Sequence, residues 1–250
     1  MNNEFYCRFL VPDPSLDCFV ENIGMFHNPS GEAKEVVIIP DGRIDLFFLT
    51  SGHTFQVLLM GLETAPKERN IPPHTYALVV SFRPLGSEYI LHTSIADLLN
   101  TAKELPPDFW NFNAEDLSDF EKFYERASEK IKEHIPPTID ERKQMLFDLL
   151  YSSKGEMSVT ELSEKTSWNS RQINRYFSKQ FGVSLKSYAT ILRFRASLEH
   201  IAEGKLFPEL NFTDQTHFIK EIKKFSGVVP KELSKNKNDR FVLLSVLKQT

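Results

Sequence analysis

Cysteine is nearly absent from this chain: 250 residues hold two, Cys7 and Cys18. That is neither a disulfide framework nor a C-x-x-C metal site, and both thiols read as buried apolar side chains in a reducing compartment. No run approaches the roughly 18 apolar residues of a membrane-spanning helix, so no membrane partner is expected. The opening stretch, MNNEFYCRFLVPDPS, has neither the basic start nor the long apolar core of a secretory signal. A cytoplasmic protein is the expectation. Histidine is sparse, and His53, His74 and His92 are scattered without an H-x-H pair. Each reads as structural, so no metal and no cofactor are expected. There is no internal repeat of fixed period and no low-complexity tract.

What the chain has is a charge asymmetry hidden in a near-neutral total of −4. Residues 1–140 carry 11 basic against 22 acidic side chains, whereas residues 141–250 carry 19 against 12. A basic C-terminal half favours a polyanion partner. An apolar fraction of 41% with 21 phenylalanines is ample for two modest cores.

Residues 5–92 are rich in β-type runs broken by turn residues. Glu35–Ile39 leads into the turn Pro40-Asp41-Gly42, and 43–50 follows with Ile44, Leu46 and Phe48 alternating on one face. Residues 55–60 and 76–82 are further strands, which together suggest a small barrel or sandwich. Two helices are expected next, over 94–105 and over about 114–134. The second is capped by Asn113 with Asp116 at N3, and its seam of Leu117, Phe120, Tyr124, Ala127 and Ile131 either packs on its own barrel or pairs with a second subunit. Ile135-Pro136-Pro137 is the clearest boundary. Thr138 and Glu141 then form a capping box for a helix with Met145, Leu146, Leu149 and Leu150 inward.

The stretch 158–182 states both a geometry and a ligand. Ser158 and Glu161 make a capping box that opens a short helix, and Ser167-Trp168-Asn169 ends it. Asn169 then caps a second helix, with Gln172 completing a second box and Trp168 stapling onto Ile173. Ile173, Phe177 and Phe181 make one buried stripe at i, i+4 and i+8. Arg171, Asn174, Arg175, Ser178 and Lys179 take the outward faces, and Gly182 closes the helix. This layout puts Arg and Asn into a major groove; an ordinary helical hairpin with a solvated charged face is the alternative. Ser184 caps a long helix to about Glu203. Residues 211–227 repeat the chemistry: Asp214 caps, Phe218, Ile222 and Phe225 form the apolar stripe, and Gln215, Thr216, Lys220, Lys223 and Lys224 lie outward. Two such readers could grip successive major grooves about 34 Å apart.

These residues carry a resemblance. Residues 141–233 resemble the DNA-binding domain of the AraC/XylS family of bacterial transcription regulators, in Asn169-Ser-Arg-Gln-Ile-Asn-Arg-Tyr-Phe with Gly182, Arg193 and Ala196, and in Phe212-Thr-Asp-Gln-Thr-His-Phe with Lys223-Lys-Phe-Ser-Gly-Val-Val-Pro230. The resemblance implies base contacts from the first turns of both recognition helices, at Arg171, Asn174 and Arg175 and at Gln215, Thr216 and Lys220, with Lys220 the one better suited to a phosphate. Arg193 and Arg195 on the connecting helix reach the DNA backbone or make plain ion pairs; His217 donates to a phosphate or packs. One departure stands out. Only 205–211 separates Gly204 from Phe212, Pro208 opposes a normal supporting helix there, and Asn211 stands where the family has Gly, so the second helix-turn-helix is expected to be truncated.

The N-terminal half, in Ile38-Ile-Pro-Asp-Gly-Arg-Ile-Asp-Leu46 and Ser81-Phe-Arg-Pro-Leu-Gly86, resembles the cupin-like sensor modules of that family, which bind a small effector or mediate dimerisation. Asp41, Asp45 and Arg83 then line a polar effector pocket, or are a turn aspartate and a satisfied ion pair. The expected fold is α+β, an N-terminal β-rich cupin-like barrel or sandwich with two flanking helices and an all-α C-terminal domain. The expected division is 1–112 for the β-rich domain, 113–137 for the linker helix and boundary, 138–233 for the DNA-binding domain and 234–250 for a tail whose Phe241–Leu247 run docks back. The expected function is a sequence-specific DNA-binding transcription regulator, not an enzyme. Its partners would be double-stranded DNA, a small-molecule effector, a second copy of the chain and, for an activator, RNA polymerase. The alternatives are a cupin-type metalloenzyme or an alkyl-transfer repair protein with a DNA-binding appendage; two cysteines cannot supply both the zinc-held cluster and the nucleophile that the latter needs.

Overall fold

The structure, a computed structural model, describes residues 4–52, 54–207, 212 and 214–248. In chain order the strands and helices are β1 (Tyr6–Leu10), β2 (Val20–Asn28), β3 (Lys34–Ile38), β4 (Ile44–Ser51), β5 (Thr54–Met60), β6 (Lys67–Ile71), β7 (Thr75–Phe82), α1 (Pro84–Tyr89), β8 (Ala102–Leu105), α2 (Phe120–His134), α3 (Glu141–Ser152), α4 (Val159–Lys165), α5 (Ser170–Phe181), α6 (Leu185–Ala202), α7 (Gln215–Ser226), α8 (Pro230–Lys235) and α9 (Val242–Leu247). They form an N-terminal antiparallel sheet domain followed by a helical region. The chain divides into two compact units, one of residues up to Glu35, Arg43–Gly61 and Asn70–Ile139, the other of Val36–Gly42, Leu62–Arg69 and everything from Asp140.

The first unit is built on a six-stranded sheet in the order β1-β2-β7-β4-β5-β8. Strand alternation puts Leu46 beside Val80 and Leu59, and Phe48 beside Leu78 and Val57, on one face. All six are buried. Phe48 packs on Phe112 and Phe123 at ring-centroid distances of 4.9 and 5.4 Å, so α2 covers this face. Leu117, Phe120, Ala127 and Ile131 are each at most 4% exposed. The seam is therefore used within its own unit.

The helix expected over 94–105 does not form. Ala96–Leu98 is a single 3-10 turn, Asn100 turns the backbone left-handed at φ 58°, and Ala102–Leu105 pairs with β5 as an edge strand. Position 61 explains the detour: a Cβ there would lie 2.2 Å from the Leu98 carbonyl oxygen, so only glycine lets the two chains run this close. The expected helix from 114 breaks in two. Asn113 and Asp116 do form their capping box, but on a short 3-10 segment Ala114–Ser118, and Asp119 caps α2 afresh by accepting from the Lys122 N–H.

β3 pairs with β6 as a separate two-stranded ribbon, and the second unit takes its segments 36–42 and 62–69, which cluster with the helices rather than with the large sheet. Val37 and Ile39 enter one apolar core with Ile191, Phe194, Leu198 and Ile201 of α6, Phe218, Ile222 and Phe225 of α7, and Leu233, Phe241 and Leu244. The Val37 N–H donates to the Arg240 carbonyl at 2.7 Å and the Tyr188 hydroxyl to the Gly42 carbonyl at 3.0 Å. Gly42 has φ 80°, and a side chain there would press on Tyr188 and Leu192 at 3.3 Å. A linear division of the chain at the Pro-Pro step cannot contain this ribbon. The tail docks as expected: Asn236, left-handed at φ 41°, accepts from the Phe241 N–H and donates to Ser245 Oγ, which fixes the entry to α9.

Candidate nucleic-acid interface

The tight element predicted around 158–182 is present. Ser158 accepts from the Glu161 N–H while Glu161 accepts from the Ser158 N–H, a reciprocal cap that opens α4. Hydrogen bonding from the Ser158 side chain, and then from its backbone N–H, holds the Glu161 carboxyl below its ordinary value. Ser167 turns left-handed at φ 49°, and Ser163 holds the corner by donating from its hydroxyl to the Trp168 carbonyl and accepting, through its own carbonyl, the Trp168 N–H. Asn169 caps α5, but through the Arg171 N–H at 2.9 Å and without Gln172. Trp168 packs against Tyr176, with ring centroids 5.4 Å apart and planes tilted by 41°. Asp140, not Thr138, caps α3, because it stands directly before Glu141 and accepts from the Arg142 N–H.

Ile173, Phe177 and Phe181 are wholly buried against Phe147 and Tyr188, and this stripe fixes which way α5 faces. Its exposed arc carries Arg171, Gln172, Arg175, Ser178 and Lys179. Arg171 and Arg175 have no carboxylate partner among the described residues. Two unpaired guanidinium groups on one helix face are an electrostatic footprint for a polyanion, and each has the fork for a guanine O6/N7 edge. Asn174 lies between the buried stripe and this arc. Its Nδ2 donates to the Ser170 carbonyl at 3.0 Å, and its Oδ1 accepts the Leu185 N–H at 3.3 Å, so it ties α5 to the first turn of α6.

Helix α7 repeats the pattern. Asp214 accepts from the His217 N–H, Phe218, Ile222 and Phe225 are buried, and Gly227 closes the helix at φ 80°. Thr216 and Lys220 are exposed. Gln215 is half-buried and donates to the Leu206 carbonyl at 3.0 Å. Residues 205–207 are not helical; Pro208 and Asn211, on which the expected truncation rests, lie outside the described residues, as does His53. Arg193 pairs with Glu221 at 3.2 Å with both side chains under one-fifth exposed, beneath the Phe212 ring. His217 Nε2 approaches the same carboxylate at 3.8 Å. Arg193 thus joins α6 to α7.

The proposed effector trio is not assembled within either unit. Asp41 belongs to the ribbon of the helical unit, while Asp45 lies in β4 opposite Ser81. Arg83, ahead of α1, donates to Glu21 at 2.9 Å and lies 3.8 Å from Asp17. Among the described residues no three His, Cys, Asp or Glu gather as a metal site, and no helix is long and apolar enough to cross a membrane.

A second basic feature, not singled out from sequence, adjoins the arc of α5. Arg142, Trp168, Gln172, Arg175, Tyr176 and Lys179 line a cleft of about 520 Å³. Arg142 lies over the Trp168 ring at 5.4 Å and is held by Asp140 at 2.9 Å, and Lys143 lies over Tyr176 at 4.7 Å. The signal in the sequence was the stripe 172, 175, 176, 179 at helical spacing, masked by assigning Gln172 to a cap.

Residues 8–104 match a family described as a domain of unknown function, DUF6597. No curated protein matches in sequence. Among solved structures the chain is similar to ToxT from Vibrio cholerae: its P21 crystal form is 11% identical over 93% of this chain and 97% of that one, with a TM-score of 0.48. ToxT from strain O395 bound to (E)-4-(8-methylnaphthalen-1-yl)but-3-enoic acid is 12% identical over 96% and 98%, with a TM-score of 0.49. At that distance the likeness assigns no residue of this chain a role.

Proposed function

We propose that the helical unit binds double-stranded DNA sequence-specifically, with α5 in the major groove, and that the chain is a transcription regulator of the AraC/XylS type. The observation that carries this reading is the exposed, cationic arc of α5, with Arg171 and Arg175 free of carboxylates among the described residues, mounted after a tight turn on a helix whose other side is fully buried. Arg171 and Arg175 read bases. Asn174 serves as a bracket between α5 and α6. Thr216 and Lys220 present α7 to the next stretch of DNA, and Arg193, through its ion pair with Glu221, orients α7 without itself touching the DNA. The first unit supplies effector sensing or self-association.

The test is duplex binding by fluorescence anisotropy across a salt series. Phosphate neutralisation releases counterions, so the affinity falls as a power of salt, with an exponent of about −0.9 per phosphate contacted. The reading requires a steep slope for the wild type and a loss of about 1–3 kcal/mol for Arg171→Ala or Arg175→Ala. A wild-type affinity that ignores salt would refute it.

A further inference from the structure

The cleft beside α5 has the chemistry of a backbone contact. Its lining joins two arginines, a lysine, a glutamine, a tyrosine and a tryptophan on three separate elements: Arg142 from the start of α3, Trp168 from the turn and the rest from α5. Arg, Lys, Gln and Tyr are the side chains that proteins aim at phosphate and sugar. Arg142 is pre-positioned, since Asp140 holds its guanidinium and Trp168 supports its face. Trp168, 8% exposed and covered by Arg142, backs the cleft with an apolar wall. Arg175 belongs both to the reading arc and to the cleft wall, so whatever occupies the cleft is continuous with what α5 reads. Asp140 and Glu141, the acidic groups at this end of α3, are not among the lining side chains.

We infer that this cleft is an oxyanion site for a phosphodiester of the DNA strand bordering the groove that α5 enters, with Arg142 and Lys179 as its outer cations. The inference rests on the DNA-binding reading above and extends it. The site fixes register and adds affinity, and it carries no base information.

The experiment measures the affinity of the full-length protein for a selected duplex and for a scrambled one between about 50 and 200 mM salt. The variants are Lys179→Gln, on an exposed position, and Arg142→Gln. Each is expected to flatten the log–log salt slope by about 0.9, so that the affinity lost over this fourfold range shrinks about 3.5-fold. Both duplexes should weaken alike, with base preference unchanged. If the wild type binds duplex and both variants keep its slope, this inference fails and the reading of α5 stands. A wild type that binds no duplex removes both. A separate arm adds inorganic phosphate or a nucleoside monophosphate at constant ionic strength. No displacement of duplex is expected; displacement from the wild type but not from Lys179→Gln would make the cleft a site for a free phosphate compound and overturn the strand assignment.

Discussion

Removing the ribbon should unfold the helical unit. Val37 and Ile39 lie 8% and 4% exposed in the core shared by α6, α7 and the tail. Fully burying each such side chain contributes about 1.5–3 kcal/mol, an upper estimate because the unfolded chain is itself partly collapsed. Two of them therefore supply about 3–6 kcal/mol, before the Val37–Arg240 and Tyr188–Gly42 hydrogen bonds are counted. A domain's whole stability is about 5–15 kcal/mol. A fragment of residues 140–250 loses the ribbon and should lose a large share of its stability with it. Trp168 is the only tryptophan in that fragment, so its fluorescence through a urea titration reports the unit directly. The expected result is a non-cooperative or strongly left-shifted transition, and in the full chain Ile39→Ala alone should cost about 2–5 kcal/mol. A fragment that unfolds cooperatively at the full chain's midpoint would refute the reasoning.

The other expectations follow from single contacts. Asn174→Ala should lower the melting midpoint while leaving base preference intact, whereas Arg171→Ala should do the reverse; selection on random duplexes separates them. Glu221→Ala leaves the half-buried Arg193 without its carboxylate and should cost about 3 kcal/mol or more by urea titration, while replacing both members by apolar residues should be near neutral. Glu63, 8% exposed, has a carboxyl pushed above its ordinary value by burial, against the opposing pull of Lys67 and Arg69. A carboxyl raised in the folded state favours folding while protonated and opposes it as pH rises through the raised value. Glu63→Gln should therefore raise the melting midpoint at neutral pH, with the gain vanishing below the ordinary carboxylate range near pH 4; a gain equal at all pH values would contradict that cause.

Local signals carried most of the helical unit. Ser158 with Glu161, Asn169, Ser184, Asp214, Gly182 and Gly227 mark helix ends through hydrogen bonds within a few residues, and such bonds are legible in a sequence. What misled was non-local. The run 94–105 has helical composition, yet pairing with β5 and the close approach to Gly61 make it a turn and a strand. Asn174 has the chemistry of an adenine reader, but its partners, Ser170 and Leu185, appear only once α6 packs beside α5. Arg193 meets Glu221, 28 residues on, for the same reason. The ribbon is the extreme case. Its continuous apolar run over 36–39 reads as a strand of the large sheet, and no local feature of Val37 or Ile39 says that they belong with α6 and α7.

The central claim, that α5 reads DNA, is tested most directly by selecting from random duplex DNA with the wild type and the Arg175→Ala variant side by side at near-physiological salt. The account predicts an enriched block of bases for the wild type, with preference relaxed at one position in the variant and the rest of the block kept. Enrichment of the same block, unrelaxed, by both proteins would mean that Arg175 does not read a base, and would contradict it.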